Sequence, residues 1–476
     1  MSLEYLVEIS PDSILKLEEI VTARVESSGT PGIFATLFQG AQIFLEKGVG
    51  VRATGGSVPD SDTTFRIASC TKSFTVAALL QLRDEGSLNL DQLITDFVPE
   101  FTYSKISNAT TIPTLRQLAS MSSGLPTDDP WADRQESISP QDLREIVSRG
   151  VNATSTTGEL FQYSNLGFAL LGLAIESASE RDFREFVSTE FLKPLGMSQS
   201  GFNADDFPEG NLARGYRKVE ESWAELPFST SGAFSSIGGL FSSARDLRIW
   251  SNWFFSAFDE NVTGKELLSK ASRREMQSIS TPIPTTPQPN GQDSSSGYGF
   301  GLFIEDDRRF GRFISHSGGY PGFSSHMRWH VPTGLSVVVL ENATYSGAML
   351  TAITLLNAAL ESLNFELPKP AIWPITYELA AKADALVRSW NLVAAKEIFA
   401  ENVGLDIPFP ERVASIERFI REVGGLREGS AIVAESSDSP LHLVWKISGI
   451  EGELTCEIRL TPNFPPRIQT FRTKLS

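Results

Sequence analysis

Ser69-Cys70-Thr71-Lys72 places a hydroxyl and an amine three residues apart. On a helix such residues share a face. At a helix N-terminus the unpaired N–H groups and the positive end of the dipole favour negative charge developing on the serine oxygen. A lysine desolvated there loses its proton near neutral pH and becomes a base. The pattern alone is weak. Ser13-Ile14-Leu15-Lys16 repeats it and reads as ordinary helix surface, and the plain reading of Ser69 and Lys72 is an N-cap with a surface lysine.

Two further elements follow in the chain. Tyr163-Ser164-Asn165 is its only Y-x-N. A phenol has a reference pKa of about 10, and nearby ammonium groups favour the phenolate, so Tyr163 is a candidate acceptor for the Ser69 proton. Asn165 is a candidate holder of a substrate carbonyl and of the Lys72 ammonium. The plain alternative is a packed tyrosine with a capping asparagine. His316-Ser317-Gly318-Gly319 contains the only H-x-G and follows a strand-like run, Arg312 to Ser315. A strand edge there lines a cleft, and the Gly319 N–H pairs with that of Ser69 as an oxyanion hole, each donor worth about 3 kcal/mol. Glycines at 318 and 319 let a substrate approach the backbone. The alternative is a Gly-rich turn with a buried histidine.

The elements needed to hold these groups are visible in the pattern. An amphipathic helix is expected over Ser10–Ser28, strands over Gly32–Phe38, Gln42–Arg52 and Thr64–Ile67, and a helix over Thr71–Asp84 that stops at Gly86. Helices follow at Leu166–Ser179 and Asp182–Phe191. Thr281–Ser296, rich in Pro, Thr, Ser and Gln, reads as a loop. Tyr298–Ile304, Phe310–Ser315, Ser324–His330 and Leu335–Leu340 read as strands of one antiparallel sheet, with alternation at Phe323, Ser325, Met327 and Trp329. Pro368, Pro370 and Pro374 mark a boundary between a domain over 10–365 and a small α+β domain over 373–476. The latter carries helices at Tyr377–Phe399 and Val413–Val423 and strands near Ser430–Glu435, Leu441–Ser448 and Glu453–Leu460. Helices followed by curved strands loosely resemble the cone-shaped folds of ketosteroid isomerase-like domains.

Composition excludes some classes. The chain has 476 residues, 41% hydrophobic, with a net charge of -17. That is enough apolar content for a large core and leaves no basic cluster for nucleic acid. No run reaches the roughly 20 apolar residues of a membrane span. Cys70 and Cys456 are too few for a disulfide framework. Met1–Tyr5 lacks the features of a signal peptide, which points to the cytoplasm, or to secretion or the periplasm if a leader was removed. The partner expected is a small-molecule or peptide substrate, and a homo-oligomer stays open.

The three elements in this order resemble the penicillin-recognising serine hydrolases. The handful of motifs S-x-x-K, Y-x-N and H-x-G is similar to that of class C β-lactamases, DD-peptidases, D-aminopeptidases and β-lactamase-like esterases. Phe65-Arg66-Ile67-Ala68-Ser69, Met121-Ser122-Ser123-Gly124-Leu125-Pro126, Pro194-Leu195-Gly196-Met197, Gly238-Gly239-Leu240 and His316-Ser317-Gly318-Gly319-Tyr320-Pro321-Gly322 carry the resemblance, which spans Ser10 to Leu363. It implies an α+β fold: an antiparallel sheet flanked by helices, with an all-helical lobe between Gly86 and about Ser200. It implies a serine hydrolase cleaving an ester, an amide or a D-amino-acid peptide bond through an acyl-enzyme on Ser69. Lys72 and Tyr163 would share the proton shuttle, with Asn165, His316, Gly318 and Gly319 orienting substrate and no cofactor or metal. A β-lactamase, or a penicillin-binding-protein-like sensor with little turnover, are the alternatives. Many β-lactam-binding members carry Lys where this chain has His316, and a histidine with a reference pKa near 6.5 is mostly neutral. That favours an esterase, amidase or D-amino-acid peptidase.

Other signals weigh less. His326 and His330 are four apart but sit on a strand-like run, which argues against a metal pair. G-x-S-x-G is absent. Cys70 reads as a packed helix residue. One or two of Tyr216, Trp223, Phe228, Phe234 and Tyr320 are expected to line the cleft. Glu397 and Glu401 read as solvated helix surface.

Overall fold

The computed structural model describes residues 7–107, 111–259, 261, 267–284, 294–429 and 431–476. The chain divides into two units, one running to Glu366 and one from Leu367 to Ser476. No helix among the described residues is long and apolar enough to cross a membrane.

The first unit is built on β1 (Gly32–Gln39), β2 (Gln42–Gly50), β3 (Thr64–Arg66), β4 (Phe241–Ser243), β5 (Thr281–Ile283), β6 (Ser294–Tyr298), β7 (Phe303–Asp307), β8 (Gly311–Tyr320), β9 (Phe323–His330) and β10 (Leu335–Glu341). Eight of them form one antiparallel sheet in the order β2-β1-β10-β9-β8-β7-β6-β5, while β3 and β4 pair as a separate two-stranded sheet. Some expected boundaries move. Residues 299–302 turn the chain between β6 and β7, so Tyr298–Ile304 is not one strand. The ends of the expected loop Thr281–Ser296 pair as β5 and β6, and its centre lies outside the described residues.

The strand expected over Phe310–Ser315 is β8, which runs on through His316-Ser317-Gly318-Gly319 to Tyr320, so the strand edge expected there is present and the alternative Gly-rich turn is not. It pairs with β9 from Phe313 to Tyr320 but with β7 only from Gly311 to Ser315. From His316 onward one side of an interior strand therefore has no strand partner among the described residues, and part of this edge lines a cavity.

Helices cover both faces. α1 (Pro11–Glu26) is started by Ser10, whose side chain accepts from the Ser13 N–H, and with α5 (Ala348–Ser362) it packs on Ile33, Ala35, Leu37, Val337 and Val339. The other face, with Phe34, Phe38, Met327, Trp329 and Leu340, meets α4 (Ala244–Phe255) and α2 (Thr71–Asp84). β9 is consequently buried at all eight positions, and the half-polar alternation expected there does not separate inside from outside. The helical lobe centres on α3 (Asn165–Ser179), apolar nearly all round and buried from Asn165 to Ile175.

The second unit has its own core around Leu386, Trp445, Ile458 and Phe471. A three-stranded antiparallel sheet of β11 (His442–Ser448), β12 (Glu453–Leu460) and β13 (Ile468–Leu475) accompanies α6 (Pro374–Arg388), α7 (Leu392–Ile398), α8 (Glu401–Asp406) and α9 (Phe409–Glu422). The helix expected over Tyr377–Phe399 breaks at Ser389, and Asn391 caps a new one by accepting from Ala394 N–H. Residues 431–434 are not a strand; β13, which the pattern did not reveal, takes the third place. Glu397 and Glu401 fall on different helices, and both are exposed.

Candidate active site

β3 delivers the chain to Ala68, whose φ of 48° is left-handed, a strained conformation for a residue with a side chain. That kink turns the strand through one 3₁₀ turn, Ala68–Cys70, into α2. The approach is clamped. The Ile67 N–H donates to the Leu240 carbonyl at 3.0 Å, and Arg66, fully buried, faces Glu136 at 3.3 Å and stacks over the Tyr320 ring. Ser69 is thereby left partly accessible between buried Ala68 and Cys70 at the start of the helix.

One turn on, Lys72 is completely buried and its ammonium has three acceptors: Ser69 Oγ at 3.0 Å, Asn165 Oδ1 at 2.6 Å and the Ile237 carbonyl at 2.9 Å. Burial lowers its pKa to about 8, against the opposing pull of Asp129, Asp133 and Asp128. The position of Asn165 is set from its other end. Its Nδ2 donates to Asp129 Oδ1 at 2.5 Å, while the Asp128 carboxylate accepts from the N–H groups of Asn165 and Leu166 and so caps α3. The Asn165 carbonyl oxygen is thus committed to Lys72.

Tyr163 lies just before that helix. Its ring stacks on Phe303 at 6.3 Å and lies 5.0 Å from the Lys72 Nζ. It lines the same cavity as Ser69. Burial, seconded by Tyr298 and Asp129, holds its pKa well above that of a free phenol, and only the nearby Ser69 opposes this. The phenolate expected from the sequence is therefore disfavoured: Tyr163 rests as a neutral phenol, and Lys72 is the group in range to lose its proton.

The third motif arrives on the open edge of β8. His316 is buried; its Nε2 meets the Tyr298 hydroxyl at 3.1 Å and its Nδ1 the Ser317 carbonyl at 2.6 Å. Burial and the Lys72 charge depress its pKa to about 3, so it carries no charge at neutral pH. Gly318 is packed against the nucleophile turn. A Cβ there meets the Ile67 carbonyl oxygen at 2.2 Å and the Ala68 Cβ at 3.0 Å. Gly318→Ala is expected to push that turn off the sheet, costing about 1–3 kcal/mol in thermal unfolding and a larger share of activity. Cys70 seals the same contact, its Sγ 3.2 Å from the His316 carbonyl, and burial pushes its thiol up to about 12, that of an inert packed residue.

Ser69, Tyr163, His316 and Gly319 open into one cavity of roughly 700 Å³, which continues round the β8 edge to Ser317 and Arg328. Lys72, Asn165 and Gly318 lie behind its wall. A cavity of roughly 790 Å³ near Asp182 and Lys193 holds none of these groups. The aromatic lining of the reactive cleft is Phe161, Tyr163, Phe303 and Tyr345, and none of the five candidates, of which one or two were expected, is among it. Phe234 and Tyr320 are core, and the Tyr216 hydroxyl accepts from the Thr54 N–H. His326 and His330 bond to Ser317 and Thr333 respectively. Among the described residues the cation on the cleft wall is Arg328, paired with Glu305 at 2.7 Å. Sequence reasoning missed Asp128 and Asp129, although they follow the Leu125-Pro126 motif after only Thr127. It had no means of finding the Ile237 carbonyl or Tyr345, which carry no local signature.

Comparison with known proteins bears on the family and the fold. Residues 17–361 match the family described as Beta-lactamase. Protein flp of Staphylococcus aureus (strain COL) is 26% identical over 343 residues, 70% of this chain and 64% of flp, so the chain spans less than two thirds of that relative's length. The octameric penicillin-binding protein homologue from Pyrococcus abyssi aligns over 97% of this chain and 100% of its own, with a TM-score of 0.64 at 20% identity. A D-stereospecific amidohydrolase from a Streptomyces species aligns over 71% and 97%, with a TM-score of 0.55 at 24% identity. These two share the fold: an antiparallel sheet flanked by helices with a helical lobe. Given a family match over most of its length and this arrangement of its three motifs, the chain belongs to the beta-lactamase family.

Proposed function

We infer that the protein is a serine hydrolase that cleaves an ester or amide bond, D-amino-acid peptide bonds included, through an acyl-enzyme on Ser69. The observation that carries this reading is the meeting of the three groups at one cleft: Lys72 Nζ lies 3.0 Å from Ser69 Oγ, and the Tyr163 ring, 5.0 Å from that Nζ, lines the same cavity as Ser69.

The chemistry follows from the protonation states. Neutral Lys72 takes the Ser69 proton as Oγ attacks the substrate carbonyl carbon. The oxygen of that carbonyl becomes an oxyanion, held by the backbone N–H groups of Ser69 and Gly319. Collapse of the tetrahedral species breaks the bond to the leaving group, which receives the Tyr163 proton; Lys72 re-protonates Tyr163. Water then attacks the ester by the same route in reverse. Asp129, through Asn165, keeps the lysine aimed at Ser69.

A neutral His316 supplies no fixed charge for a substrate carboxylate, and Arg328 is already paired. This favours esters and D-amino-acid amides over β-lactams. The test is a panel of p-nitrophenyl acetate, D-alanine p-nitroanilide and a chromogenic cephalosporin. Turnover of either of the first two at least about tenfold above the cephalosporin in kcat/KM is expected. The reverse order favours the β-lactamase reading, and no turnover of any favours a binding module. Because the active base is unprotonated Lys72, kcat/KM is expected to rise with pH along a limb centred near 8. Asp129→Asn removes a negative charge that holds the proton on Lys72, so the limb is expected to move to lower pH.

A further inference from the structure

Tyr345 follows β10 by four residues and has a φ of 45°, the left-handed region, in which a bulky side chain is strained. Its neighbours pin it there. The Thr344 N–H donates to the Tyr216 carbonyl at 2.9 Å, and the Ser346 carbonyl accepts from Arg24 at 2.6 Å. The ring is thrown back over β8: a Cβ added at Gly319 meets Tyr345 Cδ1 at 2.3 Å and Cε1 at 2.7 Å. The far end is tied as well. The Tyr345 hydroxyl donates to Oδ2 of buried Asp133, just beyond the helix Asp129–Ala132 in the helical lobe. The side chain thus starts on the sheet side of the cleft and ends on the helical side, while lining the same cavity as Ser69. A tether for stability alone needs neither the strained backbone nor a ring half exposed to the cleft.

We propose that Tyr345 is a specificity-determining residue: a bar laid across the Gly319 side of the cleft that admits only small acyl groups. The proposal rests on the acyl-transfer reading above. A carbonyl oxygen held at Gly319 puts the substituent on its carbon within a few bonds of the Tyr345 ring. That ring is fixed at both ends, so it swings aside only by giving up its bond to Asp133. Acetyl or alanyl groups fit beneath it; long acyl chains collide with it. The leaving group departs towards Tyr163 and does not meet the bar.

The test compares p-nitrophenyl acetate with p-nitrophenyl octanoate, and p-nitrophenyl acetate with ethyl acetate, in the wild type, Tyr345→Phe and Tyr345→Ala. The wild type is expected to prefer acetate to octanoate. Tyr345→Ala is expected to raise the octanoate-to-acetate ratio of kcat/KM at least about tenfold, the scale set by steric discrimination in an apolar pocket. Tyr345→Phe keeps the ring and frees its tip, and is expected to raise the ratio less. The ratio between the two acetate esters is expected to stay constant across the variants. Tyr345→Leu substitutes for the alanine variant if that one fails to fold, as judged by circular dichroism. An unchanged chain-length ratio in a folded variant that still cleaves acetate overturns the proposal, and so does a change confined to the leaving-group ratio. A wild type that cleaves no ester and takes no fluorophosphonate at Ser69 overturns the acyl-transfer reading itself, and the bar with it.

Discussion

Ser69→Ala is expected to abolish turnover, lowering kcat on the order of 10⁴–10⁶-fold as when a covalent nucleophile is removed, with little change in stability. The serine hydroxyl is one of three acceptors around Lys72, and the other two, Asn165 Oδ1 and the Ile237 carbonyl, remain after the substitution. Losing one hydrogen bond at a site open to the cavity costs about 1 kcal/mol. A loss of activity accompanied by a near-constant midpoint of thermal unfolding therefore separates the chemical role of Ser69 from a structural one. If the variant retained more than about a tenth of wild-type activity, another nucleophile or an activated water would have to do the work.

Lys72→Met is expected to lower kcat/KM on the order of 10³-fold, within the usual range for a general base, and to do so without the pH limb near 8 that the wild type shows. The variant also makes a prediction for stability. Burial raises the pKa of Asp133 to about 6 and raises that of Asp128, and the Lys72 charge counteracts both shifts. A carboxyl whose folded pKa lies above its unfolded value costs nothing when protonated at low pH, and its cost grows as pH rises through the folded pKa. Removing the cation enlarges that cost. The stability of Lys72→Met relative to wild type is thus expected to decline steadily from pH 4 to pH 7 in chemical denaturation. A flat difference over that range contradicts the electrostatic coupling between Lys72 and the aspartates.

How much of this was legible in the sequence differs by element. The S-x-x-K serine and lysine share a helix face by spacing alone, and the helix holding them shows its apolar run from Phe74 to Leu82 directly. α3 was equally plain, because a helix buried on all sides needs no particular period to be apolar. The β8 edge was only half visible. A glycine pair reads as a turn locally, and the sheet context that keeps Gly318 and Gly319 extended comes from β9, which lies beyond a further turn. β9 itself misled, since both of its faces are covered by helices distant in the chain. The helix break at Ser389 was hidden because the apolar spacing carries on through Trp390, Ala394, Ala395, Ile398 and Phe399, which pack into one core.

Within the site the limits were of another kind. Backbone groups such as the Ile237 carbonyl have no sequence signature, yet that oxygen accounts for a third of the acceptors around Lys72. The protonation of Tyr163 depends on its burial and on how its ring meets Tyr298 and Phe303, residues of β6 and β7 distant in the chain. Ala68 and Tyr345 share a different kind of concealment: each takes a left-handed backbone that its residue type disfavours, and only tertiary clamping holds it.

The central claim is that Ser69 is the atom that attacks. Intact-protein and peptide mass spectrometry after incubation with a fluorophosphonate tests it most directly. The adduct is expected on one residue, within the peptide that contains Ser69, and is expected to be absent from Ser69→Ala and slow to form in Lys72→Met. Label found on any other serine, or equal labelling of Ser69→Ala, contradicts the account.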